Sequence, residues 1–131
     1  MDSERLAVYN WMTTEVLIAD AEESVLSAAK KMASKNVGCV VIVKNEKPVG
    51  IFTERDILER VVVAQKDYLC TKIGDVMTSN IVTINSQKSY TLACEIVRKN
   101  NIRHLPVVDD HGKLVGIISI KDLSGYLKRD K

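Results

Sequence analysis

Two seven-residue segments of this chain carry the same ordered set of chemical groups. They are Gly50-Ile51-Phe52-Thr53-Glu54-Arg55-Asp56 and Gly116-Ile117-Ile118-Ser119-Ile120-Lys121-Asp122. In each segment, a glycine is followed by a hydroxyl, a basic side chain and a carboxylate. A carboxylate can accept hydrogen bonds from both hydroxyls of a ribose, while a hydroxyl, a cation and the free N–H groups at a helix start suit a phosphate. These segments, which we call the first and second motif, therefore predict a nucleotide ligand.

The same spacing also has a purely structural interpretation. Thr53 with Asp56, and Ser119 with Asp122, match a capping box, in which side chains satisfy free N–H groups at the start of a helix. A single motif of this kind favours the cap. Two motifs at equivalent places, each beginning with a glycine that allows close approach of the backbone, favour a ligand.

The motifs lie at equivalent places because the chain contains an internal repeat. Residues 8–60 align with residues 73–126 at an offset of 65, which becomes 66 after one inserted residue near Gly112. We predict a first repeat at residues 8–66 and a second at residues 73–129, together forming one module. Identical pairs include Met12/Met77, Ser24/Ser89, Ala28/Ala93, Asn36/Asn101, Gly50/Gly116 and Asp56/Asp122.

Each repeat predicts a short strand followed by an amphipathic helix. Apolar runs at residues 16–19 and 81–84 predict the strands. Apolar residues then recur at helical spacing, at positions 25, 28, 29 and 32 and again at positions 90, 93, 94 and 97. Ser24 and Ser89 precede these stretches and are predicted to cap the two helices.

A hairpin and a second helix complete each repeat. Strand-forming residues flank turns at residues 44–47 and 109–112, which predicts a hairpin in each copy. A last helix follows each motif. In the first repeat, the predicted inner face of that helix is Ile57, Leu58, Val61 and Val62. We therefore predict an α+β fold of two βαββα repeats packed about a pseudo-twofold axis, since neither copy alone buries its helices well.

Composition and charge exclude several classes of protein. The chain has 131 residues, of which 46% are apolar and 27% charged, as in a compact globular domain. Its net charge of +2 is too balanced for a dedicated nucleic-acid binder. The longest apolar runs are far shorter than the roughly 20 residues that span a bilayer. Residues 1–5 lack the basic region and apolar core of a secretory signal, which predicts the cytosol.

The sequence contains no recognisable catalytic or metal-binding pattern. Cys39, Cys70 and Cys94 are too far apart for a redox pair or a zinc cluster and are predicted to be small buried residues. Phosphate-binding loops, dinucleotide fingerprints and hydrolase nucleophile motifs are absent. We therefore predict a protein that is not an enzyme and that uses no cofactor or metal.

The chain resembles the cystathionine-β-synthase (CBS) domain family, specifically a tandem pair of CBS domains. The resemblance rests on Met12, on the strands VGCVVIV and IRHLPVV, and on the two motifs, and it covers nearly the whole chain. It implies a regulatory module that binds AMP, ADP, ATP or S-adenosylmethionine in clefts between the two repeats. It also implies a homodimer of pairs and an output through a separate, unknown regulated protein.

The resemblance further implies particular ligand contacts. It makes Asp56 and Asp122 the ribose ligands, with Thr53 and Ser119 near the ribose or phosphate, while the basic residues Arg55 and Lys121 of the motifs suit a phosphate. Adenine is expected against the first strand and the start of the second, where each residue fits the core equally well. These wall residues are Val16, Ile18, Val37, Gly38, Cys39, Ile81, Thr83, Ile102 and Pro106.

One pair of residues breaks the symmetry of the repeat. Arg103 and His104 occupy the positions that Gly38 and Cys39 hold in the first repeat. The resemblance implies that basic residues here contact phosphate, and the alternative is a surface arginine beside a hydrogen-bonded strand histidine. If they contact phosphate, the two sites are unequal, with one prepared for phosphate and the other for a smaller or neutral adenosine moiety.

Two further hypotheses remain open at the level of sequence. The motifs could act only as caps in a ligand-free scaffold for dimerisation, or local basic residues at 98–99 and 128–131 could serve a nucleic-acid-associated regulator. The segment 6–11, which contains Trp11, could either cap the core or mediate dimer contacts.

Overall fold

The computed structural model describes residues 6–119, which form two compact units. The first unit is Val16–Ile81, and the described part of the second unit comprises residues 6–15 and 82–119. The units do not coincide with the sequence repeats. The segment that opens each repeat groups with the body of the other repeat, so the opening segments are exchanged between the two copies.

The first unit is built on a three-stranded sheet in the order β1-β2-β3. The first pair of strands is parallel and the second antiparallel. Its elements in chain order are β1 (Ile18–Ala19), α1 (Val25–Lys35), β2 (Cys39–Lys44), β3 (Lys47–Thr53), α2 (Glu54–Asp56), a π-helix (Ile57–Val62) and α3 (Ile73–Val76).

The second unit repeats this topology with the sheet order β4-β5-β6. The predicted last helix of the second repeat lies outside the described residues. The described elements are a 3-10 helix (Val8–Asn10), β4 (Ile84–Asn85), α4 (Tyr90–Asn100), β5 (His104–Val108) and β6 (Leu114–Ser119). Each unit therefore has a small sheet with helices, which confirms the predicted α+β class.

The two long helices begin and end on duplicated residues. The Ser24 hydroxyl accepts a hydrogen bond from the Ser27 N–H at 3.0 Å, and the Ser89 hydroxyl accepts one from the Leu92 N–H at 3.1 Å. Both predicted N-caps are thus confirmed. Asn36 and Asn101 end the helices with φ of 54° and 51°, a left-handed conformation that asparagine tolerates better than most residues.

The two hairpins turn differently. In the first, Asn45 and Glu46 have φ of 53° and 67°, as expected for a two-residue turn of the type that matches strand twist. In the second, the inserted residue lengthens the turn. There the Asp109 carboxylate accepts hydrogen bonds from the N–H groups of Lys113 at 2.9 Å and His111 at 2.8 Å, and these bonds lower the pKa of the Asp109 carboxyl.

Two local predictions were right only in part. The strands predicted at 16–19 and 81–84 are only Ile18–Ala19 and Ile84–Asn85, because only two residues of each pair with the next strand. In the helix after the first motif, Val61 is buried, but Leu58 and Val62 are 59% and 62% exposed. That segment is π-helical, with the Val63 N–H bonded to the Leu58 carbonyl five residues earlier at 2.9 Å. The wider turn moves residues off the stripe expected for an α-helix.

Each unit has its own apolar core, and the exchanged segments contribute to both. Ile73 and Val76 are buried in the core of the first unit, and Val8 is fully buried in that of the second. Trp11 packs on Tyr90 with ring centroids 4.7 Å apart. The segment 6–11 therefore caps a core, which was one of its two predicted roles.

The three cysteines differ in their burial. Cys39 and Cys94 are buried as predicted. Cys70 is exposed, contrary to prediction, because it lies in a turn outside both cores, where its N–H bonds to the Asp67 carbonyl at 3.2 Å. Between residues 6 and 119, no helix is long and apolar enough to cross a membrane.

Candidate functional site

The glycine that begins each motif lies under a methionine of an exchanged segment. A β-carbon added to Gly50 would overlap the Met77 sulfur, and one added to Gly116 would overlap the Met12 sulfur. The close approach that the glycines allow is thus made by a methionine of the same unit. The duplicated glycine therefore has a structural explanation that requires no ligand.

Backbone hydrogen bonds hold each exchanged segment against its motif. The Ile51 N–H donates to the Thr78 carbonyl at 2.9 Å, and the Thr78 N–H donates back to Ile51 at 2.8 Å. Thr13 and Ile117 form the same pair of bonds in the second unit, both at 2.9 Å. This pairing brings Thr78 beside the helix that carries Asp56.

The first motif forms a complete capping box. The Thr53 hydroxyl accepts a hydrogen bond from the Asp56 N–H at 3.2 Å, and Asp56 Oδ2 accepts one from the Thr53 N–H at 2.9 Å. The Thr53 hydroxyl also donates to Asp56 Oδ2 at 3.2 Å. The structural interpretation of the motif is therefore realised in the first repeat, and any ligand must bind to groups that already cap the helix.

The other oxygen of Asp56 has two partners that the sequence prediction did not include, one hydrogen-bond donor and one cation. Thr78 Oγ1 donates to Asp56 Oδ1 at 3.3 Å, and the Arg60 Nε lies 3.4 Å from the same oxygen. Arg60 Nη1 also donates to the Met77 carbonyl at 2.8 Å. The Asp56 side chain is only 8% exposed, so these partners replace water around a buried charge.

The sequence contained signals for both missed residues. Arg60 follows Asp56 by four residues, the spacing of neighbours on a helix. Thr78 belongs to a Met-Thr dipeptide that occurs at residues 12–13 and again at 77–78, immediately where each exchanged segment pairs with a motif. Only the fold shows that this dipeptide contacts the motif of the other repeat.

Two of the predicted wall residues, Val37 and Gly38, line a cavity of about 290 Å³ in the first unit. Its remaining lining residues are Ala29, Met32, Ala33, Asn36, Glu54 and Ile57. The Glu54 N–H donates to the Gly38 carbonyl at 3.1 Å, and the Glu54 carboxylate lies over the Gly38 α-carbon, where a β-carbon would overlap it. The start of α2 is thus held against the start of β2.

The sheet register places the asymmetric residues beside the motif hydroxyls. Cys39 is the cross-strand partner of Thr53, and His104 is the cross-strand partner of Ser119. Burial raises the pKa of the Cys39 thiol to about 12, so it is neutral next to the first motif. His104 is half-buried and Arg103 is exposed. The basic pair therefore neighbours the second motif.

The remaining predicted contacts are distributed over both units. Arg55 is exposed and lies 3.4 Å from Glu59. Ile81 belongs to the first unit although it opens the second repeat. Among the wall residues, Val16, Ile81 and Ile102 are half-buried, Ile18 and Thr83 are exposed, and Pro106 is fully buried. Lys121 and Asp122 lie outside the described residues, and these site assignments stay predictions.

Within residues 6–119, no group of three or more His, Cys, Asp or Glu side chains is arranged to hold a metal ion.

Comparison with known proteins matches both repeats of the chain to one family. The family model for the CBS domain matches residues 8–63 and 73–129. The CBS domain-containing protein CBSX3, mitochondrial, of Arabidopsis thaliana is 35% identical over 118 residues, which are 86% of this chain and 53% of the plant protein. The chain thus spans about half the length of that relative.

Solved structures of related proteins share the fold over nearly the whole chain. The CBS domain pair of protein MJ0100, in complex with 5'-methylthioadenosine and S-adenosyl-L-methionine, has a TM-score of 0.81 and 30% identity, covering 92% of this chain and 98% of that one. The CBS domain protein PAE2072 of Pyrobaculum aerophilum, complexed with AMP, has a TM-score of 0.83 and 28% identity, covering 90% of each chain.

Proposed function

Because the chain belongs to the CBS domain family, we propose that it is a non-enzymatic regulatory module that binds an adenosyl ligand and signals to a partner protein. The observation that carries this proposal is the buried Asp56 carboxylate at the start of α2. An ionised carboxylate has the hydrogen-bond acceptors that a ribose diol requires. The adenosyl ligands of the MJ0100 and PAE2072 structures support the same ligand class.

In this proposal, the groups of the first motif contact two different parts of the ligand. Asp56 binds the ribose, and the Thr53 hydroxyl and Arg55 guanidinium bind phosphate oxygens. The ion pair of Arg55 with Glu59 is exposed, with 75% and 58% of the two side chains accessible, so it opposes a phosphate contact only weakly. In the second motif, Asp122 and Ser119 have the corresponding roles, with Lys121 as the basic residue.

The two sites are unequal in this proposal. The second motif has His104 as the cross-strand neighbour of its hydroxyl and Arg103 next in the chain, and a cation strengthens hydrogen bonds to phosphate. The first motif has the neutral, buried Cys39 thiol at the equivalent place. The second site should therefore bind AMP or ATP more tightly than the first does, and the first is better suited to an adenosyl ligand without a 5' phosphate, such as S-adenosylmethionine.

Calorimetry with AMP, ATP and S-adenosylmethionine tests the proposal on the full chain. We expect micromolar binding that is lost at one site in Asp56→Ala and at the other in Asp122→Ala. Glu95→Ala is the control, because Glu95 is exposed on α4 and belongs to neither motif. If none of the three ligands gives heat with the wild-type chain, the proposal is wrong.

A ligand-free scaffold is the second candidate function. The complete capping box of Thr53 and Asp56 favours it, because the motif is fully used within the protein. In that case the wild-type chain binds no adenosyl ligand, and Asp56→Ala only lowers the stability of the fold. The calorimetric titrations therefore separate the two candidates.

Signalling requires a surface that another chain recognises. The π-helix exposes Leu58 and Val62, and Val63 follows with 70% of its surface accessible. We propose that a second copy of the chain covers these residues, and that the ligand shifts the population of conformers that the regulated partner binds. Sedimentation of Val62→Asp tests self-association, with a monomer expected. The cytosol stays the predicted compartment.

A further inference from the structure

The acceptor positions of the Asp56 carboxylate are largely occupied by groups of the protein itself. An ionised carboxylate offers about four lone-pair positions. Oδ2 accepts hydrogen bonds from the N–H and the hydroxyl of Thr53, and Oδ1 accepts one from the Thr78 hydroxyl. The Arg60 guanidinium forms an ion pair with Oδ1 at 3.4 Å, so a diol, which needs two acceptor positions, finds at most one without a hydrogen bond. A ribose diol that binds Asp56 must therefore displace donors that are already present.

The two oxygens differ in how firmly their donors are held. The Thr53 N–H and hydroxyl lie 2.9 Å and 3.2 Å from Oδ2, and both belong to the local helix cap. The partners of Oδ1 lie farther away, with the Thr78 hydroxyl hydrogen-bonded at 3.3 Å and the Arg60 Nε in an ion pair at 3.4 Å, and Thr78 comes from the exchanged segment. Because a long hydrogen bond is weak and neither partner belongs to the local cap, the Oδ1 partners are the ones that a ribose replaces.

We propose that Thr78 and Arg60 form a latch that competes with the ligand for Asp56. This inference rests on the proposed adenosyl binding at the first motif. Arg60 also donates a hydrogen bond to the Met77 carbonyl at 2.8 Å. The latch therefore connects the π-helix with Met77, and Asp56 with Thr78, and these two residues are neighbours in the exchanged segment. Ligand binding at Asp56 frees both contacts and loosens the exchanged segment from β3.

Only the first repeat carries both residue types of the latch at the aligned positions. The repeat alignment pairs Arg60 with Tyr126, which has no guanidinium, while Thr78 corresponds to Thr13. Tyr126 lies outside the described residues, and the difference rests on residue type. The proposed coupling through a guanidinium is therefore specific to the first motif by residue type.

Two variants remove the latch without altering the motif. Thr78→Val removes a hydroxyl donor at nearly constant shape, and Arg60→Met removes the guanidinium but keeps an apolar stem. Both are measured by calorimetry with AMP in an Asp122→Ala background, so that only the first site contributes. Each lost competitor of about one ordinary hydrogen bond should lower the Kd of AMP about fivefold. Lys31→Met, which removes another paired cation of the first unit away from Asp56, should leave the Kd unchanged.

Hydrogen exchange measures the same coupling from the other side. Coupling between two binding events is reciprocal, so AMP that is favoured by loss of the latch must itself loosen the segment. Saturating AMP should speed exchange of the Thr78 amide, which bonds to the Ile51 carbonyl at 2.8 Å, and should not do so in Thr78→Val.

The outcomes separate the latch from the proposed function. If AMP binds the Asp122→Ala chain and both variants bind it with equal or weaker affinity, the latch is wrong and the proposed function stands. If AMP binds only after the latch is removed, both are supported. If neither AMP nor S-adenosylmethionine binds any of these chains, the proposed binding at the first motif is wrong and the latch with it.

Discussion

The Met77 thioether packs against the α-carbon of Gly50, and Met12 packs in the same way on Gly116. Each contact joins an exchanged segment to the motif of the other repeat. The duplicated glycines and methionines, which are far apart in sequence, are thus one packing feature that occurs twice.

Replacing either glycine with alanine should destabilise the protein. Added volume in a packed site costs about 1–3 kcal/mol of unfolding free energy. We expect the larger loss for Gly116→Ala, because its β-carbon would meet the Thr13 carbonyl at 3.0 Å as well as Met12, and backbone cannot move aside as a side chain can. Urea unfolding measures both losses. The double variant Gly50→Ala, Met77→Ala should lose less than the sum of its single changes, and additive losses would contradict the contact.

The helix caps give a second prediction. Ser24→Ala and Ser89→Ala should each lower the unfolding free energy by about 1 kcal/mol, because each removes the acceptor for an N–H in the first helical turn. Ser34→Ala, an exposed change within α1, should have no such effect. Thermal unfolding followed by circular dichroism compares the three, and equal effects at all three serines would contradict the caps.

The loss of unfolding free energy at acidic pH should depend on Glu23. Burial raises the pKa of this carboxyl, but hydrogen bonds from Lys31, the Asp20 N–H and the Ser27 hydroxyl outweigh burial and lower it. A group whose pKa is lowered on folding adds stability above its unfolded pKa, and this is lost as the pH falls through the folded value. The stability difference between wild type and Glu23→Gln should therefore shrink between about pH 6 and pH 3. A difference that stays constant over that range would contradict the assignment.

Cysteine reactivity should separate the exposed thiol from a buried one. Cys39 should resist iodoacetamide at about pH 8, because burial raises the pKa of its thiol to about 12. Cys70 should react, but slowly, since its hydrogen bond to Asp67 and the nearby charge raise its pKa. Asp67→Asn removes the charge and should speed alkylation at Cys70. Peptide mass spectrometry over time measures both sites, and an unchanged rate at Cys70 would contradict this account.

Local features of the chain could be predicted because they depend on neighbours in sequence. The N-caps at Ser24 and Ser89 and the hairpins follow from short-range spacing and turn chemistry. The helix after the first motif was less predictable. A π-helix and an α-helix arise from similar apolar patterns. The exposure of Leu58 and Val62 is therefore explained only by the hydrogen bonds seen in the structure.

The candidate site, too, could be predicted only in part. The hydroxyl and carboxylate of the first motif were identified from residue type and spacing, and the capping box between Thr53 and Asp56 follows from their separation of three residues. The two other partners of Asp56 were not identified. Arg60 acts through the side-chain geometry of a π-helix, and Thr78 reaches the motif from 22 residues away.

The sequence by itself determined the repeat, the order of its elements, the two motifs and the asymmetry at Arg103 and His104. Only the tertiary structure decided that the opening segments are exchanged, and hence that Thr78 and Met77 contact the first motif. The physical reason is the distance along the sequence between the residues that interact. Hydrophobic period, caps and turns are set by residues a few positions apart, whereas the choice of which copy a segment packs against depends on contacts that the two copies offer in nearly identical form.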